Sequence, residues 1–196
     1  FSIKDIPDVF TAFRKKVEQE SSIRPIFEKP LFIKSPAISD LKLPSLEQLG
    51  LQKVLIDKRA AIKFRGGETE GINRVQTYFF DTKAIFNYKE TRNGLVGENY
   101  STKFSAWLAL GCLSPREIYR QLKEYESLYS ANESTYWLKF ELLWRDYFRF
   151  MMKKYNYKYF LQHGIQTKKD TLNEHNQDLL QQWIDGRTGL DFVDAN

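Results

Sequence analysis

The most regular apolar pattern of the chain lies between Ser134 and Met152. On a helix, five residues of this stretch recur at i, i+4, i+7, i+8 and i+11 and share one face; they are Trp137, Glu141, Trp144, Arg145 and Phe148. A second apolar row lies beside them, formed by Phe140, Leu143, Tyr147 and Met151. The pattern predicts one long helix that is capped by Ser134 and buried on most sides.

This stripe has two interpretations. Glu141 and Arg145 stand in the order of an ordinary i, i+4 helix pair, which contributes about 0.2–0.5 kcal/mol. Aromatic stripes at helical spacing more often belong to a core than to a ligand site, by roughly three to one. Two charged residues on the most aromatic face are unusual for a core, so the ligand site remains the alternative.

Before this helix, the pattern of apolar residues changes along the chain. Residues 1–50 contain five of the six prolines, each of which disfavours a helical conformation for its predecessor, so only Pro7 to Glu20 is predicted to be helical. The rest of residues 1–50 is predicted to be an extended interdomain linker. A short helix is expected between Leu51 and Phe64, and a second begins after Gly67 with the core positions Ile72, Val75 and Phe79.

A cluster of hydroxyl groups precedes the apolar run of residues 106–110. Ser101, Thr102 and Ser105 stand there with Lys103, where a helix N-terminus would offer free backbone N–H groups to a phosphate. A plain N-cap by Ser101 or Thr102 is the more common use of such residues. Three hydroxyls and a lysine exceed what one cap needs, so the cluster predicts a phosphate site.

The remaining pattern is helical as well. Gly111 is predicted to end the helix that follows the hydroxyl cluster, and Ser114 to Glu117 reads as a capping box for the next helix. A last short helix is expected from Leu179 to Ile184. No segment shows a convincing strand pattern, so the predicted fold class is all-α.

Composition and charge exclude some kinds of site but do not identify a function. The net charge of +5 permits a polyanionic partner, and residues 153–159 interleave lysines with tyrosines, which suits either nucleic acid or a partly buried aromatic rim. One cysteine excludes an internal disulfide, and the two histidines lack metal-ligand spacing, so no metal site is predicted. No apolar run is long enough to span a membrane. The first residue is Phe1 and no signal peptide precedes it, so we interpret the chain as a piece of a longer intracellular protein.

Three motifs of the chain resemble the photolyase/cryptochrome family, and within it the DASH type. They are the hydroxyl cluster with AWLALGCLSPR, the helix YWLKFELLWRDYFRF, and GRTGLDFVDAN. The resemblance implies that residues 51–196 form the N-terminal portion of the FAD-binding helical domain. Residues 1–50 resemble the linker that leaves the family's N-terminal α/β domain.

The resemblance implies that FAD binds in a folded shape inside a helical bowl. The implied cofactor-binding residues are Tyr88, Ser101, Thr102, Lys103, Phe104, Ser105, Trp137, Glu141, Trp144, Arg145 and Phe148. Residues 101–105 match the loop that holds the FAD phosphates, and Arg145 matches an arginine beside the flavin. An antenna folate, methenyltetrahydrofolate, would bind only to the α/β domain that this chain does not contain.

The implied activity is light-driven DNA repair of the deoxyribodipyrimidine photo-lyase type, by a monomer. Reduced FAD, excited by light, donates an electron to a cyclobutane pyrimidine dimer, the ring splits and the electron returns. The implied catalytic residues are Glu141 and Trp144, and the implied DNA-binding residues are Arg92, Trp137, Glu141 and Trp144. DASH-type relatives favour single-stranded DNA, which avoids the cost of unstacking a duplex.

Departures from the family pattern leave alternatives. The chain stops before further flavin contacts of the family, so we expect it to be inactive by itself. Asn173 stands where relatives place a tryptophan of the electron relay. The main alternative is a blue-light flavin photoreceptor that signals through partners and repairs nothing. A third possibility is a nucleic-acid-binding relic that no longer uses flavin.

Overall fold

The structure, a computed structural model, describes residues 2–36, 42–52, 55–161, 163–165 and 176–195. Asn173 lies outside these ranges. The described residues contain helices and no strand, which confirms the predicted all-α class. The helices are α1 (Phe10–Glu20), α2 (Glu68–Gln76), α3 (Tyr88–Thr91), α4 (Ser105–Ala109), α5 (Pro115–Leu128), α6 (Glu133–Tyr155), α7 (Gln177–Ile184) and α8 (Asp191–Asp194). A π-helical turn, Thr77–Asp81, continues α2, and 3-10 turns span Ile3–Asp5, Ala84–Asn87 and Asn156–Phe160.

The chain divides into two compact units. One is Pro7–Phe148, and the other combines Phe1–Ile6 with Arg149–Asn196. None of the helices in the described ranges is long and apolar enough to cross a membrane.

The core of the Pro7–Phe148 unit forms around α2, its π-helical turn, α5 and the first half of α6. Tyr78 and Phe79, on the π-helical turn, are fully buried and lie edge-on to Phe104. α5 contributes an apolar face whose members are Ile118, Leu122 and Tyr125. This core fixes the position of the first half of α6.

α1 packs along α6 through aromatic side chains. Phe10 and Phe13 are both buried and contact the ring of Tyr147. The Tyr147 hydroxyl donates a hydrogen bond to the backbone oxygen of Asp8, just before α1. The predicted helix over residues 7–20 is confirmed, with its first turn at Phe10.

Two predictions about helix ends and extents were wrong, and the alternative use of Ser101 or Thr102 as a plain N-cap is not observed. Asn132, not Ser134, caps α6: its side-chain oxygen accepts from the backbone N–H of Thr135. The described part of residues 51–64 contains no helix. Leu51 and Leu55 are 54% and 90% exposed, so an amphipathic helix there would have no apolar surface to cover. The helix after the hydroxyl cluster begins only at Ser105, with Phe104 as its N-cap residue and no side-chain cap.

Other local predictions were confirmed, the capping box of α5 only in its first half. Ser114 caps α5 by accepting from the backbone N–H of Arg116. The second half of the capping box is absent, because Glu117 pairs with Arg120. Gly111 follows α4 with a positive φ of 72°. α7 covers the last predicted helix and is capped by Asn176.

Candidate functional site

A cavity of about 360 Å³ lies within the Pro7–Phe148 unit, between α3, α6 and the segment that leads into α4. Its lining combines apolar side chains with a few polar groups: Tyr88, Thr102, Phe104, Ser105, Leu108, Ala109, Leu138, Glu141, Leu142 and Arg145. That combination is typical of small-molecule and cofactor sites. A second cavity, in the other unit, lies beside Trp183 and Phe192 and includes none of the predicted site residues.

Six of the eleven predicted cofactor-binding residues line the first cavity. They come from three separate parts of the sequence: Tyr88, Thr102, Phe104, Ser105, Glu141 and Arg145. The other five are not among its lining residues; they are Ser101, Lys103, Trp137, Trp144 and Phe148. The structure therefore brings together one carboxylate, one guanidinium, one phenol and two aliphatic hydroxyls.

Glu141 has a partner that the sequence did not indicate. Its Oε1 accepts a hydrogen bond from Arg92 Nη1 at 2.7 Å, across 49 positions of sequence. The i, i+4 pair with Arg145, one of the two interpretations of the stripe, is not formed. Both partners of the Arg92–Glu141 pair are about 30% exposed, at 29% and 30%. The carboxylate is therefore held at the cavity wall by a cation that is still reached by solvent.

Arg145 contributes a buried donor to the same cavity. Its Nη1 has no hydrogen-bond partner among the described residues and lies 3.7 Å from Asp146 Oδ1. Buried polar groups normally have a hydrogen-bond partner, so a buried guanidinium nitrogen that forms an ion pair with Asp146 but no hydrogen bond points to a polar ligand.

Tyr88, at the start of α3, lines the cavity and is 7% exposed. Burial raises the pKa of Tyr88 to about 12, and the negative charge of Glu141 adds to this shift. The positive charge of Arg92 partly opposes it. Tyr88 is therefore a neutral phenol at physiological pH.

α3 is attached to the start of α6 by a buried hydroxyl. Ser134 Oγ accepts from the backbone N–H of Lys89 at 3.0 Å and donates to Glu90 Oε2 at 3.0 Å. Ser134 is 2% exposed, so its hydroxyl is shielded from water, whereas Glu90 is exposed. This connection sets the distance between Tyr88 and Arg92 on one side and Glu141 on the other.

Trp137 lies beside the cavity, under positive charge. Lys89 Nζ and the guanidinium carbon of Arg92 lie 5.3 and 5.4 Å from the centroid of its ring. Its ring stacks on Phe140, and its buried Nε1 has no partner among the described residues. Two cations over an indole are a favourable arrangement that also holds Arg92 near Glu141.

Trp144 faces α1, and Phe148 lies beside Trp144 on α6. The ring of Trp144 is stacked on Phe10 at 3.5 Å between centroids, and it also stacks on Phe148 at 5.5 Å. Phe148 is 53% exposed. In this structure the ring of Trp144 is covered by Phe10 of α1. The predicted contact of Trp144 with flavin or substrate therefore stays a prediction.

The hydroxyl cluster forms a loop that is held by a residue the sequence reasoning missed. Arg74, on α2, is 8% exposed and donates hydrogen bonds to the loop between Glu98 and Thr102. Burial lowers the pKa of Arg74, and Tyr78 and Glu98 partly oppose this, but an arginine stays protonated. The available signal was a charged residue four positions before Tyr78 on a helix of otherwise apolar core positions.

The sequence of the chain is similar to proteins of known family. Residues 137–196 match the family described as the FAD binding domain of DNA photolyase. A Cryptochrome DASH of Danio rerio is 49% identical over 196 residues, which are 99% of this chain and 38% of that protein. One of Synechocystis sp. is 48% identical and is matched over 100% of this chain and 40% of its own length.

The fold agrees as well. A crystal structure of a Synechocystis sp. cryptochrome matches with a TM-score of 0.87 and 48% identity, covering 100% of this chain and 41% of that chain. The chain thus spans about two fifths of the length of the relatives that it matches.

Proposed function

Because the chain belongs to the photolyase/cryptochrome family, in its cryptochrome DASH branch, we propose that the protein repairs DNA in a light-driven reaction. The proposed substrate is a cyclobutane pyrimidine dimer, preferentially in single-stranded DNA. The observation that supports this most directly is the cavity in which Glu141, Tyr88 and Arg145 meet Thr102 and Ser105.

FAD is the cofactor of the domain that residues 137–196 match. The cavity suits it, because apolar walls meet convergent polar groups and the buried Arg145 Nη1 has no hydrogen-bond partner among the described residues. Thr102 and Ser105 would hold phosphate oxygens, while Tyr88 and Arg145 would lie against the flavin. When bound in its reduced form and excited by light, FAD supplies the electron that opens the dimer and takes it back afterwards.

Glu141 would recognise the edge of the pyrimidine pair. Its Oε1 is occupied by Arg92, whereas no described residue donates a hydrogen bond to Oε2. A carboxylate oxygen in that state can accept an N–H from a pyrimidine ring, and Arg92 fixes its direction. A base pair would occupy the same ring N–H, so the dimer must be unpaired before Glu141 reaches it.

The preference for single strands follows from the same requirement. Extruding a dimer from a duplex costs unstacking and unpairing energy, whereas a single strand presents its bases at lower cost. Within the other unit, Lys153 and Tyr157 are exposed and provide the kind of charge and stacking surface that single-stranded DNA binding uses.

Repair is tested directly with the protein expressed from its full coding sequence and carrying reduced FAD. Under blue light it should restore thymines in a dimer-containing oligonucleotide, faster when the strand is single than when it is paired. Replacing Glu141 by Ala should slow repair by about 10–100-fold, the worth of one hydrogen bond to a charged group, with the flavin content unchanged.

The matched control is Glu124→Ala, on the exposed surface of α5, which should repair at the unchanged rate. Absence of repair on both substrates would contradict the proposal and favour the photoreceptor alternative. Loss of flavin from Glu141→Ala would assign Glu141 to cofactor binding instead of the lesion.

A further inference from the structure

The guanidinium of Arg74 is enclosed by the loop that precedes α4. Its Nε donates to the Thr102 backbone oxygen at 3.0 Å, and its Nη1 to Asn99 Oδ1 at 3.0 Å. Its Nη2 donates to the backbone oxygens of Glu98 at 2.9 Å and Ser101 at 3.2 Å. All three nitrogens of one buried side chain are therefore used to hold one loop.

These bonds fix the direction of the loop's peptide groups. In a planar trans peptide, the N–H of one residue points opposite to the carbonyl of the residue before it. The carbonyls of Ser101 and Thr102 point at Arg74, so the N–H groups of Thr102 and Lys103 point away from it. Neither N–H donates to a described residue.

The conformation of Lys103 fits this picture. Its φ is 60°, a left-handed value that a residue with a side chain adopts at a cost of about 1–2 kcal/mol. Its Nζ lies 3.5 Å from the centroid of the Tyr100 ring. The loop would lose this conformation easily without a partner that holds its carbonyls, and within the described chain that partner is Arg74.

We propose that Arg74 is a positioning residue for the cofactor's phosphates: by holding the backbone oxygens of Glu98, Ser101 and Thr102, it turns the N–H groups of Thr102 and Lys103 toward the phosphate position. The proposal rests on the proposed function, in which this loop holds FAD. Arg74 itself touches no phosphate, since the loop lies between them. A planar guanidinium is needed, because one ammonium group cannot reach several carbonyls with the same fixed geometry.

The test is the dissociation constant of FAD, measured by flavin fluorescence on the protein expressed from its full coding sequence and stripped of flavin. Arg74→Met should raise it about tenfold or more, Arg74→Lys by less, and Asn99→Ala, which removes one of the four bonds, about threefold. This graded order is the signature of a positioning role.

A control separates positioning from general destabilisation. Leu122 belongs to the core of the Pro7–Phe148 unit, is 1% exposed and lies outside the loop. Leu122→Ala should therefore lower the unfolding temperature and leave the FAD affinity unchanged. Far-UV circular dichroism confirms that each variant is folded. If Arg74→Met does not fold, Arg74→Lys and Asn99→Ala decide.

Wild-type affinity in both Arg74→Lys and Asn99→Ala would overturn the proposal, and so would an equal loss of affinity in Leu122→Ala. A wild-type protein that binds no FAD would instead overturn the proposed function, and with it this inference.

Discussion

The two sides of α6 in the Pro7–Phe148 unit have different surroundings, although the sequence presents them as one stripe. One side lines the cavity with Glu141, Leu142 and Arg145. The other packs on α1, where the rings of Trp144 and Tyr147 contact Phe10. The first side has polar partners and open volume, and the second is closed by aromatic rings.

Helix geometry explains the division. Successive residues of a helix are about 100° apart, so Trp144 lies about 60° from Glu141, whereas Arg145 lies about 40° away in the opposite direction. A stripe of this width is broad enough to meet two neighbours. The comparison teaches that a shared face of a helix does not imply a shared site, and that stability and ligand binding can depend on opposite edges of one stripe.

The largest expected effect is on the closed side. Phe10 is 6% exposed, and its replacement by Ala removes the ring that covers Trp144, so the free energy of unfolding should fall by about 3–5 kcal/mol. Urea denaturation at neutral pH measures this change. FAD affinity of the folded protein should be unchanged, because Phe10 does not line the cavity.

Phe86→Ala serves as the control for Phe10→Ala, since its side chain is 48% exposed. It should cost less than about 1 kcal/mol. Equal losses in the two variants would mean that the contact between α1 and α6 contributes little, and the distinction between the two sides would fail.

The next effect is on the cavity side and depends on pH. The pKa of Tyr88 is raised to about 12 by burial and by Glu141. In the unfolded chain a tyrosine loses its proton near pH 10, so the contribution of Tyr88 to stability is complete below about pH 10 and is lost toward pH 12. The two-unit difference corresponds to roughly 2–3 kcal/mol.

Tyr88→Phe removes this titration. Unfolding temperatures of both proteins from pH 8 to 12 should therefore show a wild-type curve that falls more steeply above pH 10. Parallel curves over that interval would show that Tyr88 is not shielded from water in the folded protein.

A smaller effect should follow when the attachment of α3 to α6 is weakened. Ser134→Ala leaves the Lys89 backbone N–H without its acceptor, and we expect a loss of about 1–2 kcal/mol in unfolding free energy. Ser127→Ala removes a hydroxyl of an exposed serine on α5 and should cost less than about 0.5 kcal/mol. Indistinguishable losses would show that the buried hydroxyl does not hold the cavity side together.

Much of the helical fold could be predicted from the sequence because helical periodicity is local. The stretch from Ser134 to Met152 gave the position of α6, Glu133–Tyr155, within a few residues. Gly111 and Ser114 marked helix ends by their own conformational preferences. The short helix expected between Leu51 and Phe64 failed because local apolar spacing does not say whether a surface is present to cover it.

The site was less predictable, because its defining contacts join distant parts of the chain. Arg92 reaches Glu141 across 49 positions, and Arg74 reaches Thr102 across 28. The hydroxyl cluster was correctly placed before a helix, but Arg74 holds the Thr102 carbonyl, and the helix begins only at Ser105. Only the tertiary structure shows that Glu141 pairs with Arg92 and not with Arg145.

The smallest predicted effect tests whether Glu141 is committed to Arg92. Both side chains are about 30% exposed, at 29% and 30%, and pairs of this kind contribute about 0.2–1 kcal/mol. A double-mutant cycle of Arg92→Met and Glu141→Gln measures the coupling by urea denaturation. The stacking of Arg92 on Trp137 cancels, because Arg92→Met removes it both in the wild type and in the Glu141→Gln variant.

The coupling between Arg92 and Glu141 should shrink further at high salt. The more exposed pair Arg120–Glu124 on α5, at 45% and 48%, gives the reference value. A coupling above about 2 kcal/mol would mean that Glu141 is a structural residue, like those on the side of α6 that α1 covers. A coupling below about 1 kcal/mol leaves the carboxylate free to exchange Arg92 for a ligand, which is what distinguishes the cavity side of α6 from the side that Phe10 covers.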